Sequence, residues 1–129
     1  MRAKDLMTTN PLRVEPTASL SEAMGVLSLA GVRHLPVVEN GKLLGMVSER
    51  DLLDCFHVDN DRLEEGSSRT VKEIMSEKLF SVDVEDEAKQ VIESMLEGWV
   101  GAVLVTAGEG ELVGIISYVD ILEAAKDKF

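Results

Sequence analysis

The chain has 129 residues, which fits one ordinary compact domain or two small ones sharing a core. Its formal charge of −11 argues against non-specific nucleic-acid binding, which needs clustered Lys and Arg. Apolar runs fall far short of the ~20 residues a membrane span needs, the N-terminus has no apolar leader core, and the single Cys55 has no internal disulfide partner. A cytoplasmic, reducing setting is expected.

In chain order, Leu12 to Val14 reads as a short extended piece. Ser19-Leu20-Ser21-Glu22 reads as a helix capping box, and Leu20, Ala23, Met24 and Leu27 follow at helical spacing up to Gly31. A strand over His34 to Val38, the hairpin signal Asn40-Gly41 and a returning strand over Leu43 to Val47 come next. A second helix starts near Ser48. Near-continuous apolar strands predict burial on both faces.

A shift of 68 positions then repeats the same text. Asp5-Leu6-Met7 falls on Glu73-Ile74-Met75, Leu12 and Val14 on Phe80 and Val82, and Val32 and Val37 on Val100 and Val105. After one extra residue in the turn Ala107 to Gly110, Leu43-Leu44-Gly45-Met46-Val47-Ser48 falls on Leu112-Val113-Gly114-Ile115-Ile116-Ser117. Asp86 is expected to cap the second copy's first helix. The order is βαββα, twice: repeat 1 over 1–56, a polar linker over 57–69, repeat 2 over 70–129. Neither copy has enough surface to close a core alone. The expected fold is therefore α+β, with the two repeats packed sheet to sheet about a pseudo-twofold axis.

Ser48-x-x-Asp51 and Ser117-x-x-Asp120 have two compatible readings. Each is a capping box, Ser at N-cap and acid at N3. Each also offers free N–H groups to an anion and a carboxylate that can accept ribose hydroxyls. Other features read as packing: Cys55 after two leucines, Trp99 as a gap filler or dimer face, and the methionines in apolar stripes. His34 and His57 lack metal-ligand spacing with Cys55 or any acidic pair, so no metal site is expected. No nucleophile–base pair, P-loop or dinucleotide fingerprint occurs, so no enzymatic activity is expected.

The doubled pattern resembles a tandem pair of cystathionine-β-synthase (CBS) domains, the Bateman module. Arg33-His34-Leu35-Pro36-Val37-Val38, Gly45-Met46-Val47-Ser48-Glu49-Arg50-Asp51, Gly114-Ile115-Ile116-Ser117-Tyr118-Val119-Asp120, and the openings Lys4 to Thr8 and Lys72 to Ser76 carry the resemblance. It implies a stand-alone regulatory module that binds AMP, ADP, ATP or S-adenosylmethionine between the repeats and relays this to an effector protein, with no required cofactor. It also implies a homodimer, a disc of four repeats. The alternative is a purely structural dimerisation module with empty clefts. By this resemblance one cleft uses Thr9, Asn10, Leu12, Val32, Arg33, His34, Ile115, Ser117 and Asp120. The other uses Met46, Ser48, Arg50, Asp51, Phe80, Val82, Val100, Gly101 and Ala102. Arg33 and His34 make the first the expected better nucleotide site.

Overall fold

The computed structural model describes residues 1–59, 69–98 and 100–129, without the side chains of 56–59. Most of the expected linker, 60–68, and Trp99 lie outside the described residues. The elements are α1 (Ala3–Leu6), β1 (Thr8–Thr9), α2 (Leu20–Ala30), β2 (His34–Glu39), β3 (Lys42–Ser48), α3 (Glu49–Asp59), α4 (Val71–Ile74), β4 (Ser81–Asp83), α5 (Ala88–Gly98), β5 (Ala102–Ala107), β6 (Glu111–Ser117) and α6 (Tyr118–Ala125), with a closing 3₁₀ turn. The mixed α+β class and the doubled order of elements are as expected. The single-turn helices α1 and α4 are additional; four residues are too few to show a helical period.

The chain forms two compact units. One comprises Leu12–Lys78; the other comprises Leu79–Phe129 together with Met1–Pro11. The opening segment of repeat 1 thus packs with the body of repeat 2, and α4, which opens repeat 2, packs with the body of repeat 1.

In the Leu12–Lys78 unit, β2 and β3 form an antiparallel hairpin with His34 opposite Ser48 and Glu39 opposite Lys42. Asn40 and Gly41 turn it with φ of 52° and 81°, the pair of positive angles that an Asn-Gly two-residue turn supplies. Val14 adds a parallel bridge to Val37. Ser19 caps α2 by accepting from the Glu22 N–H at 3.1 Å, and Gly31 ends it in the left-handed region. Leu20, Ala23 and Leu27 of α2 pack with Leu35, Val37, Val47, Leu52 and Val71. Cys55 lies against this cluster, a packing role.

In the other unit, β5 and β6 form the equivalent hairpin, with Ala102 opposite Ser117. β4 runs parallel to β5, Val82 opposite Val105, and β1 pairs with β6 at Thr8–Ile115 and Thr9–Gly114. Ala3 and Leu6 of α1 join Val82, Val91, Met95, Val103, Val105 and Ile116 in its core.

Two expectations change. Asp86 does not cap α5: its Oδ2 accepts from the Asp83 N–H at 2.9 Å, closing the preceding turn, while Gln90 Oε1 accepts from the Glu87 N–H at 2.8 Å. A one-residue reach decides this, because α5 begins at Ala88 and Glu87, the partner of Ser19 in the repeat, holds the cap position. Burial on both faces holds along β2, where Leu35 to Val38 are all buried, but not along β3. There Gly45 and Val47 are buried while their neighbours Leu44, Met46 and Ser48 are partly exposed.

Candidate functional site

Each hairpin delivers its last residue, a serine, to the start of a helix. At the first turn Ser48 Oγ accepts from the Asp51 N–H at 3.0 Å, and Asp51 Oδ2 accepts from the Ser48 N–H at 3.2 Å. At the second, Ser117 Oγ accepts from the Asp120 N–H at 3.3 Å, and Asp120 Oδ2 accepts from the Ser117 N–H at 2.8 Å and from its hydroxyl at 3.1 Å. Both are capping boxes, so the structural role is real. Each box engages only Oδ2. Among the described residues no hydrogen bond engages the other carboxylate oxygen of Asp51 or Asp120, and both residues are partly exposed.

The hairpins also fix what stands beside each turn. The Glu49 N–H donates to Arg33 O at 2.9 Å, and His34 faces Ser48 across the ladder. Arg33, His34, Ser48, Glu49, Arg50, Leu53 and Asp54 line one cavity of about 540 Å³. Among the described residues, no side-chain hydrogen bond or ion pair engages Arg33, His34 or Arg50. In the other unit the Tyr118 N–H donates to Gly101 O at 2.8 Å, and Ala102 faces Ser117. An apolar groove of about 440 Å³ lies alongside, lined by Ile92, Met95, Leu96, Val100, Tyr118, Ile121 and Leu122.

The Leu12–Lys78 unit holds Leu12, Val32, Arg33, His34, Met46, Ser48, Arg50 and Asp51. The other unit holds Thr9, Asn10, Phe80, Val82, Val100, Gly101, Ala102, Ile115, Ser117 and Asp120. Each residue set implied by the resemblance is therefore divided between the units. What meets within one unit is Arg33, His34, Ser48 and Arg50 on one side, and Gly101, Ala102 and Ser117 on the other. Thr9 sits one β-bridge from Ile115, and Asn10 follows with φ of 49°. Val82 is buried in β4, paired with Val105 of β5, and the Phe80 ring fills the space over Gly98. Leu12 and Val32 are exposed and Met46 is half-buried. Sequence reasoning missed Glu49, Leu53 and Asp54 as lining residues. Their signal was present: Leu53 and Asp54 stand one helical turn beyond Glu49 and Arg50.

The sequence model of the CBS domain matches residues 3–58 and again 71–127. The chain belongs to the CBS domain family. A zinc metalloprotease of Methanocaldococcus jannaschii is 36% identical over 124 residues, covering 96% of this chain and 32% of that protein. An inosine-5'-monophosphate dehydrogenase of the same organism is 27% identical, over 98% of this chain and 25% of its own length. This CBS domain pair thus spans about a third or less of the length of these two relatives. Among solved structures, CBSX2 in complex with AMP superposes with a TM-score of 0.83 at 25% identity, covering 98% of this chain and 97% of that one. Among the described residues, no helix is long and apolar enough to cross a membrane.

Proposed function

We propose that this CBS domain pair is a regulatory, non-catalytic module that binds an adenosine-containing ligand and relays its presence to a partner protein. The observation that carries the reading is the pair of Ser-x-x-Asp turns. Each holds a carboxylate by one oxygen and keeps the other for a ligand. A carboxylate so held is pre-organised to accept ribose hydroxyls. CBSX2, which has this fold, carries AMP. Of the candidate ligands, AMP, ADP, ATP and S-adenosylmethionine, the first three have a phosphate that two guanidiniums could grip. A reducing, cytoplasmic setting is part of the same proposal, supported by the single cysteine.

A thermal-shift screen with these four ligands tests the reading. A ligand at a hundredfold excess over its dissociation constant should stabilise the fold by about 2.7 kcal/mol. No shift with any of them would leave the module a scaffold.

Self-association belongs to the same proposal. Leu96 and Leu122 are 70% and 61% exposed, on the rim of the apolar groove. Large side chains left this open mark a surface that another protein covers, and we assign that role to a second copy. Leu122→Glu should convert a dimer to a monomer in sedimentation velocity while leaving the melting profile of the separate units in place. A wild-type protein that sediments as a monomer at all concentrations would contradict it.

A further inference from the structure

Two methionines occupy the same place in the two units. Met7 and Met75 are partners in the repeat, and each follows a single-turn helix, α1 or α4. Met75 is seated on Gly45 of β3, in the Leu12–Lys78 unit: a Cβ on that glycine would lie 2.6 Å from its sulfur. Met7 is seated on Gly114 of β6, in the other unit, where the same distance is 2.5 Å. Gly45 and Gly114 are themselves partners in the repeat. Both methionines pack against the core of their unit, and both are half-buried. Just beyond each of them the chain passes from one unit to the other, at Pro11–Leu12 and Lys78–Leu79. A thioether on a glycine is thus a latch that holds the opening segment of one repeat onto the hairpin of the other, and the chain builds it twice.

A thioether is apolar and flexible, and it fits this seat because the glycine carries no Cβ. It is also oxidisable. Hydrogen peroxide transfers one oxygen to the sulfur: an S–O bond forms, the O–O bond breaks and the sulfur gives up two electrons. The leaving hydroxide takes the proton of the transferred hydroxyl and departs as water. The product is a sulfoxide, which is polar where the thioether was apolar. At Met75 the sulfur shares its seat with the carbonyl oxygen of Ser76, 2.9 Å from the same Cβ position, so the new oxygen is set beside another acceptor. At Met7 it is set against a cluster of apolar side chains, where a polar group without a partner is costly. We propose that Met7 and Met75 are a pair of peroxide-sensitive latches: oxidation to the sulfoxide unseats the opening segments from their glycines and loosens both units.

Hydrogen peroxide is the probe, applied to the full chain. Peptide mapping should find an added oxygen at Met7 and at Met75 under conditions that oxidise Met1, the reference at 61% exposed. Amide hydrogen exchange should speed up roughly tenfold at Ser76 and Met46, whose N–H groups bond across the Met75 seat, and at Ala3 and Lys4, whose N–H groups dock α1. The melting temperature should fall by about 5 °C, and methionine sulfoxide reductases should restore it. The double variant Met7→Leu, Met75→Leu conserves volume and keeps Met1, Met24, Met46 and Met95, and it should resist both changes. The inference is overturned if Met7 and Met75 stay unoxidised while Met1 reacts, if their sulfoxides alter neither melting nor exchange, or if the leucine variant loses as much as the wild type. Should the leucine variant not fold, the mapping and exchange of the wild-type chain decide alone.

Discussion

A chain lacking residues 1–11 should fail to form the unit built on Leu79–Phe129. Those residues supply α1 and β1, and they are not an appendage. Ala3 is wholly buried and Leu6 is 9% exposed, both inside the core cluster with Val91, Val103 and Ile116. Met7 packs so closely on β6 that a Cβ at Gly114 would lie 2.5 Å from its sulfur. The backbone is bound as well: the Ala3 N–H donates to Asp86 O at 2.7 Å, the Lys4 N–H to Val84 O at 3.1 Å, and the Ala88 N–H to Met1 O at 2.9 Å. On the surface, Lys4 Nζ reaches Glu85 Oε1 at 3.1 Å, an exposed pair that adds little. Burying one leucine and one methionine contributes about 1.5–3 kcal/mol each. The truncation should therefore cost about 5 kcal/mol once the exposed Val91 and Ile116 are included, comparable with the whole stability of a small domain. Urea unfolding should show the loss, and amide spectra should show collapsed dispersion for residues 79–129. Unchanged dispersion in the truncated chain would contradict this assignment of α1.

The second large effect is expected at Gly45. A Cβ there would sit 2.6 Å from Met75 Sδ, 3.0 Å from its Cγ and 2.9 Å from the carbonyl oxygen of Ser76. The sulfur can swing away, but the carbonyl cannot. Ser76 and Met46 are joined by two backbone hydrogen bonds, Met46 N–H to Ser76 O at 3.0 Å and Ser76 N–H to Met46 O at 2.9 Å. Relieving the clash means opening that bridge, which anchors the segment after α4 onto β3. Overpacking of this kind costs about 1–3 kcal/mol, and Gly45→Ala should lie at the upper end, with Gly45→Val beyond it. Gly114 is its partner in the repeat, yet the three atoms nearest to a Cβ there all belong to the Met7 side chain, so Gly114→Ala should cost less. Denaturant midpoints for the two alanine variants compare them directly. Equal destabilisation would show that Ser76 yields as readily as a methionine side chain.

Much of this architecture could be read before any coordinates. The shift of 68 positions, 69 after the extra turn residue, aligns α1 with α4, α2 with α5, β2 with β5, β3 with β6 and the start of α3 with that of α6, and the serine ending each hairpin stands where the Ser-x-x-Asp pattern places it. Local chemistry set these features: side chains within three residues of the backbone groups they cap, and an Asn-Gly pair that tolerates positive φ. What was not legible depends on contacts distant in sequence. Nothing in Lys4 to Thr8 says that it packs with Val82 to Ile116 instead of with its own repeat. The β2–β3 ladder sets Arg33 and His34 beside Ser48 within the Leu12–Lys78 unit, a matter of register that the strand pattern leaves open. At Asp86 the residue type was right for a cap, but Gln90 and Glu87 hold the helix start, and the aspartate closes the turn before it.

The central claim is that the module carries an adenosine ligand. Native mass spectrometry of the full chain equilibrated with AMP addresses it most directly. The account predicts a dimer mass with AMP retained, and loss of that AMP when both Asp51 and Asp120 are replaced by alanine. A spectrum without nucleotide at millimolar AMP, from protein that is folded, would contradict it.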